Sequence, residues 1–191
     1  MLRTVVILFY LVAADHVLAD WEMVKQVSTV SFGTVKNETV SELHKFTEFK
    51  GLVRNSGLVR IEIDLLSVDT GIEIRDERMR SILFGDATRA VYKANMEMRR
   101  ITDVPIGESI EIDLDGLLEL NDYSKALPLK VRVTHLTSGS YQVETVAANT
   151  IDLSSFGFTP GIEQLRSIAG LNVISMVITL EFNLVFKSRS N

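Results

Sequence analysis

Most of this chain alternates apolar and polar residues with a period of two, and that pattern limits the folds open to it. The clearest run is 58–65, in which Val59, Ile61, Ile63 and Leu65 share one side and charged residues fill the other. A period of two is typical of a β-strand with one buried face and one wet face. The chain is therefore predicted to be an all-β protein with antiparallel strands.

The same alternation recurs in segments that together give about eight strands. We predict strands near 27–35, 42–53, 58–65, 88–98, 109–117, 129–133, 140–147 and 172–187. Short turn-like connections at 55–57 and 137–139 separate some neighbours. Eight such strands close most economically into a barrel, whose interior is large enough for one small ligand. A sandwich of two sheets is the alternative architecture.

Two stretches replace the alternation with helical spacing. In 73–84, the apolar residues Met79, Ile82 and Leu83 stand three and four positions apart. The second stretch is 161–168. Both are predicted to be short helices that cover the mouth of the barrel.

Residues 1–19 have the composition of a secretory signal peptide. Arg3 gives a positive start, 4–14 is a short apolar core, and Val17 and Ala19 occupy the −3 and −1 positions of a cleavage site. The core is about half of the 20 or so residues that span a bilayer. We therefore predict export, cleavage before Asp20 and one mature domain over 20–191. An uncleaved anchor is the alternative.

Charge and cysteine content exclude several function classes. The formal net charge of −5 argues against binding to nucleic acid and against adsorption on anionic lipid. The sequence has no cysteine, which excludes disulfides, thiolate nucleophiles, iron–sulfur clusters and zinc–cysteine sites. Any ligand is therefore bound without sulfur chemistry.

Polar residues give little support for catalysis or for a metal site. His44 and His135 are far apart in sequence and are predicted to be solvent-facing or hydrogen-bonded rather than metal ligands. Glu111, Asp113 and Asp115 form a row opposite aliphatic residues, which predicts a solvated outer stripe. A hydrolase or isomerase acting on a small lipid through Asp113 and Asp115 is the alternative, and it requires both acids to face a cavity.

The apolar faces point instead to binding. Phenylalanine rings, methionine and branched aliphatic side chains suit a channel for a flexible lipid chain, although a filled core is the alternative. The predicted ligand-binding residues are Phe32, Phe46, Phe49, Ile61, Ile63, Arg78, Phe84, Tyr92, Met96, Leu114, Val133, Phe156 and Phe182.

Arginines on the predicted helix 73–84 are candidates for the polar end of such a channel. Arg75, Arg78 and Arg80 could pair with a phosphate or hydrogen-bond a quinone carbonyl. For Arg75 and Asp76 we favour a structural pair that fixes the helix to the preceding turn. The role of Arg78 is left open between the two.

The segment 67–84, SVDTGIEIRDERMRSILF, resembles the signature of the YceI-like family at Asp69, Thr70, Arg75, Asp76, Arg80, Ser81 and Phe84. Trp21 followed by 28–32, the strand 49–53 and the segment 127–131 extend the resemblance over nearly the whole chain after the leader. Segment 113–120 replaces the usual threonine and second glycine of the family's hairpin, and 152–158 matches only loosely.

The resemblance implies a periplasmic or secreted, lipocalin-like barrel that holds an isoprenoid, an isoprenoid quinone or another long lipid. We therefore predict an antiparallel lipocalin-like barrel of about eight strands with one or two short helices. It would bind, store or transport a long-chain apolar lipid in the bacterial envelope, without turnover and without another cofactor. A structural envelope module that binds protein through an open strand edge is the alternative. Whether the chain forms a homodimer is left open.

Overall fold

A computed structural model describes residues 20–147 and 149–189. Residues 1–19, where the predicted signal peptide lies, are outside the described residues. The strands are β1 Trp21–Met23, β2 Thr29–Lys36, β3 Val40–Phe46, β4 Phe49–Val53, β5 Leu58–Asp64, β6 Val68–Asp69, β7 Arg89–Asn95, β8 Ser109–Leu120, β9 Tyr123–Thr137, β10 Ser140–Thr145, β11 Asn149–Asp152 and β12 Val177–Ser188. The α-helices are α1 Glu73–Arg78, α2 Met98–Thr102 and α3 Thr159–Ala169, and α1 continues as a π-helix over Met79–Phe84.

Eight strands form a closed antiparallel ring. Their order is β1-β4-β5-β7-β8-β9-β10-β12, and β12 pairs back onto β1 with Phe186 opposite Met23. β2 continues along the same edge of β12, with Phe32 opposite Leu180, while β11 continues along the other edge. The prediction of an all-β antiparallel barrel with short helices is confirmed, and the sandwich alternative is wrong.

Alternation along each strand decides which side chains enter the barrel. In β8, Ile112, Leu114, Leu118 and Leu120 are buried, while the acidic residues between them are exposed or half-buried. Because successive side chains of a strand point to opposite faces, each wall contributes an apolar inner row. Val131 on β9 has no exposed surface at all, so the inner rows meet in one core.

Two predicted strands are shorter or interrupted in the structure. The predicted strand 88–98 ends at Asn95, and α2 begins at Met98. The Met96 amide still donates to the carbonyl of Gly57 (2.9 Å), one position beyond the last β5–β7 pair. The predicted strand 42–53 is divided into β3, which ends at Phe46 and pairs with β2 and β6, and β4, which begins at Phe49 and pairs with β1 and β5.

One end of the barrel, here called the floor, is covered by α2 and the segment that follows it. Ile101 of α2 points into the core and is only 3% exposed. The Nδ1–H group of His135 donates to the carbonyl oxygen of Val104 at 2.7 Å, which ties the segment after α2 to β9. The sequence did not predict this helix.

The opposite end, here called the mouth, is covered by the α1–π helix and by α3. These helices touch through Gly161, where an added Cβ would lie 2.8 Å from the carbonyl oxygen of Ile82. The rings of Phe84 and Phe158 meet edge to face beside this contact, with centroids 6.3 Å apart. Both helices predicted from the sequence are therefore present and lie at one end of the barrel.

None of the helices within the described residues has the length and apolar character needed to cross a membrane.

Candidate functional site

The barrel encloses a cavity of about 320 Å³, within the range of about 300–1,000 Å³ typical of ligand pockets. Its walls are inward-facing side chains of the strands and of all three α-helices. The predicted residues that line it are Phe32, Phe46, Ile61, Ile63, Arg78, Phe84, Tyr92, Met96, Leu114, Val133 and Phe182. A contact of any of these residues with a ligand remains a prediction.

Phe49 and Phe156 are buried, but they lie outside the cavity lining. Phe49 begins β4, and Phe156 ends a short 3₁₀ helix between β11 and α3. Both rings pack in the core of the protein. For these two residues the structure gives a packing role and no contact with the cavity.

Sequence reasoning missed part of the lining. Leu118 and Leu120 continue the alternation of β8 and could have been found by extending that strand. Met98, the last residue of the predicted strand 88–98, instead begins the unpredicted helix α2, which also holds Ile101, and Ile162 belongs to α3. Ile101 and Ile162 carry no period-two signal, so the strand pattern could not assign them to the cavity.

Tyr92 shows how one wall is built. Its ring lies over Gly116 of β8, where an added Cβ would approach the hydroxyl oxygen to 2.2 Å. The hydroxyl donates to the carbonyl of Leu114 (3.1 Å), so its polar atom is satisfied inside an apolar wall. Burial raises the pKa of Tyr92 to about 12, which keeps the phenol neutral.

Among the described residues, charged side chains of the lining occur only at the mouth. We call the following set of polar lining residues the mouth cluster: Thr34, Lys36, His44, Arg75, Arg78 and Ser175. They come from β2, β3, α1 and the segment before β12. Ile168 of α3, which covers the same end of the barrel, also lines the cavity and is 43% exposed.

Glu42 on β3 holds two cations of the mouth cluster. Its carboxylate accepts from Nη1 of Arg75 at 2.8 Å and also pairs with Lys36. The hydrogen bond from Lys36 is the largest cause that lowers the pKa of Glu42. Lys36 and Arg75 are therefore neutralised in part before any ligand is considered.

Arg75 and Asp76 both bind Thr70, and neither binds the other within the described residues. Arg75 donates through Nε to the Thr70 hydroxyl and through Nη2 to the Thr70 carbonyl, each at 2.8 Å. Buried Asp76 accepts from the Thr70 amide at 2.9 Å. Arg80 donates to the carbonyls of Leu66 (2.8 Å) and Val68 (3.1 Å). These residues fasten the helix to the turn before it, the role predicted for Arg75 and Asp76, but they do so through a shared partner.

His44 is buried in the lining and has one partnered nitrogen. Its Nε2 is hydrogen-bonded to the Thr34 hydroxyl at 3.2 Å, while its Nδ1 has no hydrogen-bond partner among the described residues. Burial, followed by the charge of Arg75, lowers the pKa of His44, so its ring is neutral near pH 7.

Arg78 differs from the other arginines of its helix. It lies one turn beyond Arg75, is half-buried and lines the cavity. Across residues 20–147 and 149–189, no hydrogen bond or ion pair engages its guanidinium.

The acidic row on β8 lies outside the barrel. Asp113 and Asp115 are exposed on its outer face, and Glu111 pairs with Arg132 at 2.9 Å. The alternative of a hydrolase or isomerase required these acids to face a cavity, and the structure does not place them there. Within the described chain, no group of three or more histidine, aspartate or glutamate residues is arranged to hold a metal ion.

A closed antiparallel barrel with an internal apolar cavity and a polar mouth defines the class of lipocalin-like binding barrels. The family described as YceI-like domain matches residues 21–186. The chain therefore belongs to the YceI-like family.

Solved structures agree with this assignment. A polyisoprenoid binding domain from Saccharophagus degradans, implicated in plant cell wall breakdown, has a TM-score of 0.85 and 27% identity over 88% of this chain and 98% of that one. BcnA of Burkholderia cenocepacia has a TM-score of 0.64 and 16% identity over 85% and 98% of the two chains. A mutant YceI protein of Campylobacter jejuni has a TM-score of 0.51 and 13% identity over 78% and 85%. The last two similarities support the fold alone. A comparison with curated protein sequences finds no match.

Proposed function

We propose that this protein binds a long-chain apolar lipid inside the barrel and stores or transports it without turnover. An isoprenoid or isoprenoid quinone is the leading candidate, and a fatty-acid derivative is the alternative. The observation that carries the proposal is the division of the cavity, whose described lining is apolar along its length and charged only at the mouth. A molecule with an apolar tail and one polar end matches that division.

The energetics favour a long tail. Each methylene group moved from water into such a cavity contributes about 0.8 kcal/mol. Several isoprene units therefore supply most of the binding free energy, and few polar contacts are needed. The polyisoprenoid binding domain of Saccharophagus degradans, at 27% identity, supports an isoprenoid as the tail.

The proposed location is the periplasm or the exterior of a bacterium, reached through cleavage of residues 1–19. This rests on the composition of those residues, namely a positive start, a short apolar core and small residues before Asp20. Sequencing the amino terminus of the protein recovered from its own envelope fraction tests this. A mature start at Asp20 is expected, whereas a start at Met1 would favour the uncleaved anchor.

Native mass spectrometry of the protein from its own envelope, followed by solvent extraction and lipid analysis, tests the function. A stoichiometric prenyl or acyl adduct is expected, and the same spectra give the oligomeric state. An empty protein that also fails to take up quinones and polyprenyl lipids would contradict the proposal.

A pair of matched variants ties the adduct to the cavity. Ala90 on β7 lines the cavity, so Ala90→Phe should fill part of it and reduce or remove the adduct. Ala126 on β9 is exposed on the outside, so Ala126→Phe should keep the adduct. Circular dichroism of both variants checks that the barrel still forms. Equal adducts in two folded variants would place the lipid elsewhere.

A further inference from the structure

The mouth cluster carries more positive charge than its carboxylate neutralises. Lys36 and Arg75 share Glu42, while Arg78 has no partner within the described residues. Asp76 of the same helix is buried and bound to Thr70, while Glu73 and Glu77 of that helix are exposed to solvent. The three lining cations Lys36, Arg75 and Arg78 therefore exceed the buried and half-buried carboxylates of β3 and α1, Glu42 and Asp76, by one. A half-buried charge without a counterion is costly, and an anion that binds beside it removes that cost.

His44 provides a second, independent observation. Its Nδ1 atom is buried, without a partner among the described residues, and the residue lines the same cavity. Buried polar atoms in folded proteins nearly always have a hydrogen-bond partner. Of the four described side chains that hold such an atom without a partner, Trp21 and His44 line the cavity, and of these two only His44 belongs to the mouth cluster. Oε2 of Glu42 lies 3.6 Å from Nε2, beyond hydrogen-bond distance, whereas the Thr34 hydroxyl is within reach at 3.2 Å and can donate to Nε2. In that tautomer the ring proton is on Nδ1, which makes that atom a donor. The neutral imidazole then offers one N–H group to a ligand at the mouth.

These two groups define what the polar end of the ligand must be. Resting on the function proposed above, we infer that the headgroup of the bound lipid is an oxyanion, a carboxylate or a phosphate, held by Arg78 and by Nδ1 of His44. Its tail then extends along the apolar cavity toward the floor. A quinone carbonyl or an alcohol accepts a hydrogen bond from the same donors, but neither neutralises Arg78. An oxyanion does both, with charge-assisted hydrogen bonds.

Paired ligands that differ only in the headgroup test this inference. Palmitate is compared with hexadecanol, and geranylgeranyl phosphate with geranylgeraniol, each displacing the neutral fluorescent probe N-phenyl-1-naphthylamine from the barrel. In the wild-type protein, each anion should bind about tenfold or more tightly than its alcohol. If only the phosphate shows the preference, the headgroup is a phosphate; if only the palmitate does, it is a carboxylate.

Variants test whether Arg78 and His44 cause the preference for the anion over the alcohol. The readout is the ratio of the two affinities, anion to alcohol, measured within each variant. Arg78→Gln should bring the ratio to within about threefold, and Arg78→Lys should keep most of it. His44→Phe should lower it by a few fold. Arg99→Gln changes an exposed arginine of α2 at the floor and should leave the wild-type ratio.

The outcomes separate this inference from the proposed function. If the probe and all four ligands bind but anions and alcohols bind alike, the oxyanion inference is overturned and lipid binding stands. The oxyanion inference is also overturned if Arg78→Gln keeps the full preference. If neither the probe nor any ligand binds, the proposed function fails as well.

Discussion

The two ends of the barrel are closed by different means. The floor is covered by the five residues of α2, whose Ile101 is almost fully buried, and by a backbone carbonyl bound to His135. The mouth is covered by two packed helices and carries all the charged residues of the described lining. Arg78 there has no partner among the described residues. The described lining is therefore uncharged at the floor and charged at the mouth.

This difference gives the cavity a direction. Because burying an unpaired polar group costs free energy, a purely structural cap would be expected to satisfy its polar atoms. Each end keeps a buried histidine nitrogen without a partner among the described residues, Nε2 of His135 at the floor and Nδ1 of His44 at the mouth. In the described lining, an unpaired charge, that of Arg78, lies only at the mouth. A charge in the lining that stability does not explain is better explained by contact with a ligand. The mouth is therefore the end at which we expect specificity to be decided.

The largest effect is expected from loosening the floor. Ile101→Ala removes a buried side chain from the core and should lower the free energy of unfolding by about 3–4 kcal/mol. Urea denaturation measures the loss, with Ile106→Ala as the control because Ile106 is 61% exposed. The ratio of the affinities for anion and alcohol should not change. If Ile101→Ala abolished the preference for the anion, the headgroup specificity would not belong to the mouth alone.

A smaller loss of stability is expected at the mouth, with a larger effect on the ligand. Asp76→Ala removes the buried acceptor of the Thr70 amide and should cost about 2–3 kcal/mol. Because Thr70 also holds Arg75, the helix that carries Arg78 should lose its fixed position. Lipid retention in native mass spectra should fall more than in Ile101→Ala. Asp86→Ala, at an exposed position after the π-helix, is the control.

Much of the barrel was predictable from the sequence because a strand's period of two directly reports which face is buried. That pattern predicted the inner rows on β5 and β8, which supply part of the apolar lining. It could not separate Phe49 from Ile63, its partner across the β4–β5 ladder. Both point inward, but only Ile63 meets the cavity, and the height at which a void lies depends on packing from all sides.

The helix at the floor and the charge network at the mouth were less accessible to sequence reasoning. Met96 and Met98 extend the alternation of β7 past its last residue, Asn95, so the pattern concealed the start of α2. Glu42 meets Arg75 across 33 positions of sequence. Such pairings depend on how α1 lies against β3, and no local spacing encodes that arrangement. Arg78 was predicted as a ligand-binding residue because it stands on a recognisable helix face. Its lack of a partner among the described residues could not be predicted from the sequence and is a finding of the structure.

The contact between the two mouth helices should have an intermediate effect. Gly161→Ala places a Cβ 2.8 Å from the Ile82 carbonyl and 3.0 Å from Cα of Leu83, so α3 must shift away. We expect a loss of about 1–2 kcal/mol in stability and faster release of bound lipid in a stopped-flow assay. Ser167→Ala, at an exposed position of the same helix, controls for the change in composition. Unchanged release would show that the ligand does not leave beside α3.

The smallest effect is a pH dependence that distinguishes the two histidine environments. The pKa of His44 is lowered from 6.5, mainly by burial and then by Arg75. The unfolded chain therefore takes up this proton at a higher pH than the folded protein does. Stability should fall as the pH falls through about 6.5 toward the lowered value. The lowered pKa of Glu42 acts in the same direction, but only below its ordinary value of 4.5.

Thermal unfolding between about pH 8 and pH 5.5 isolates the contribution of His44, because Glu42 stays ionised over that range. His44→Phe should flatten the profile, since the ring that must be kept neutral is gone. His135→Phe makes the same substitution at the floor and leaves His44 in place, so the wild-type slope should persist there. If His135→Phe flattened the profile and His44→Phe did not, the sensitivity to acid would belong to the floor.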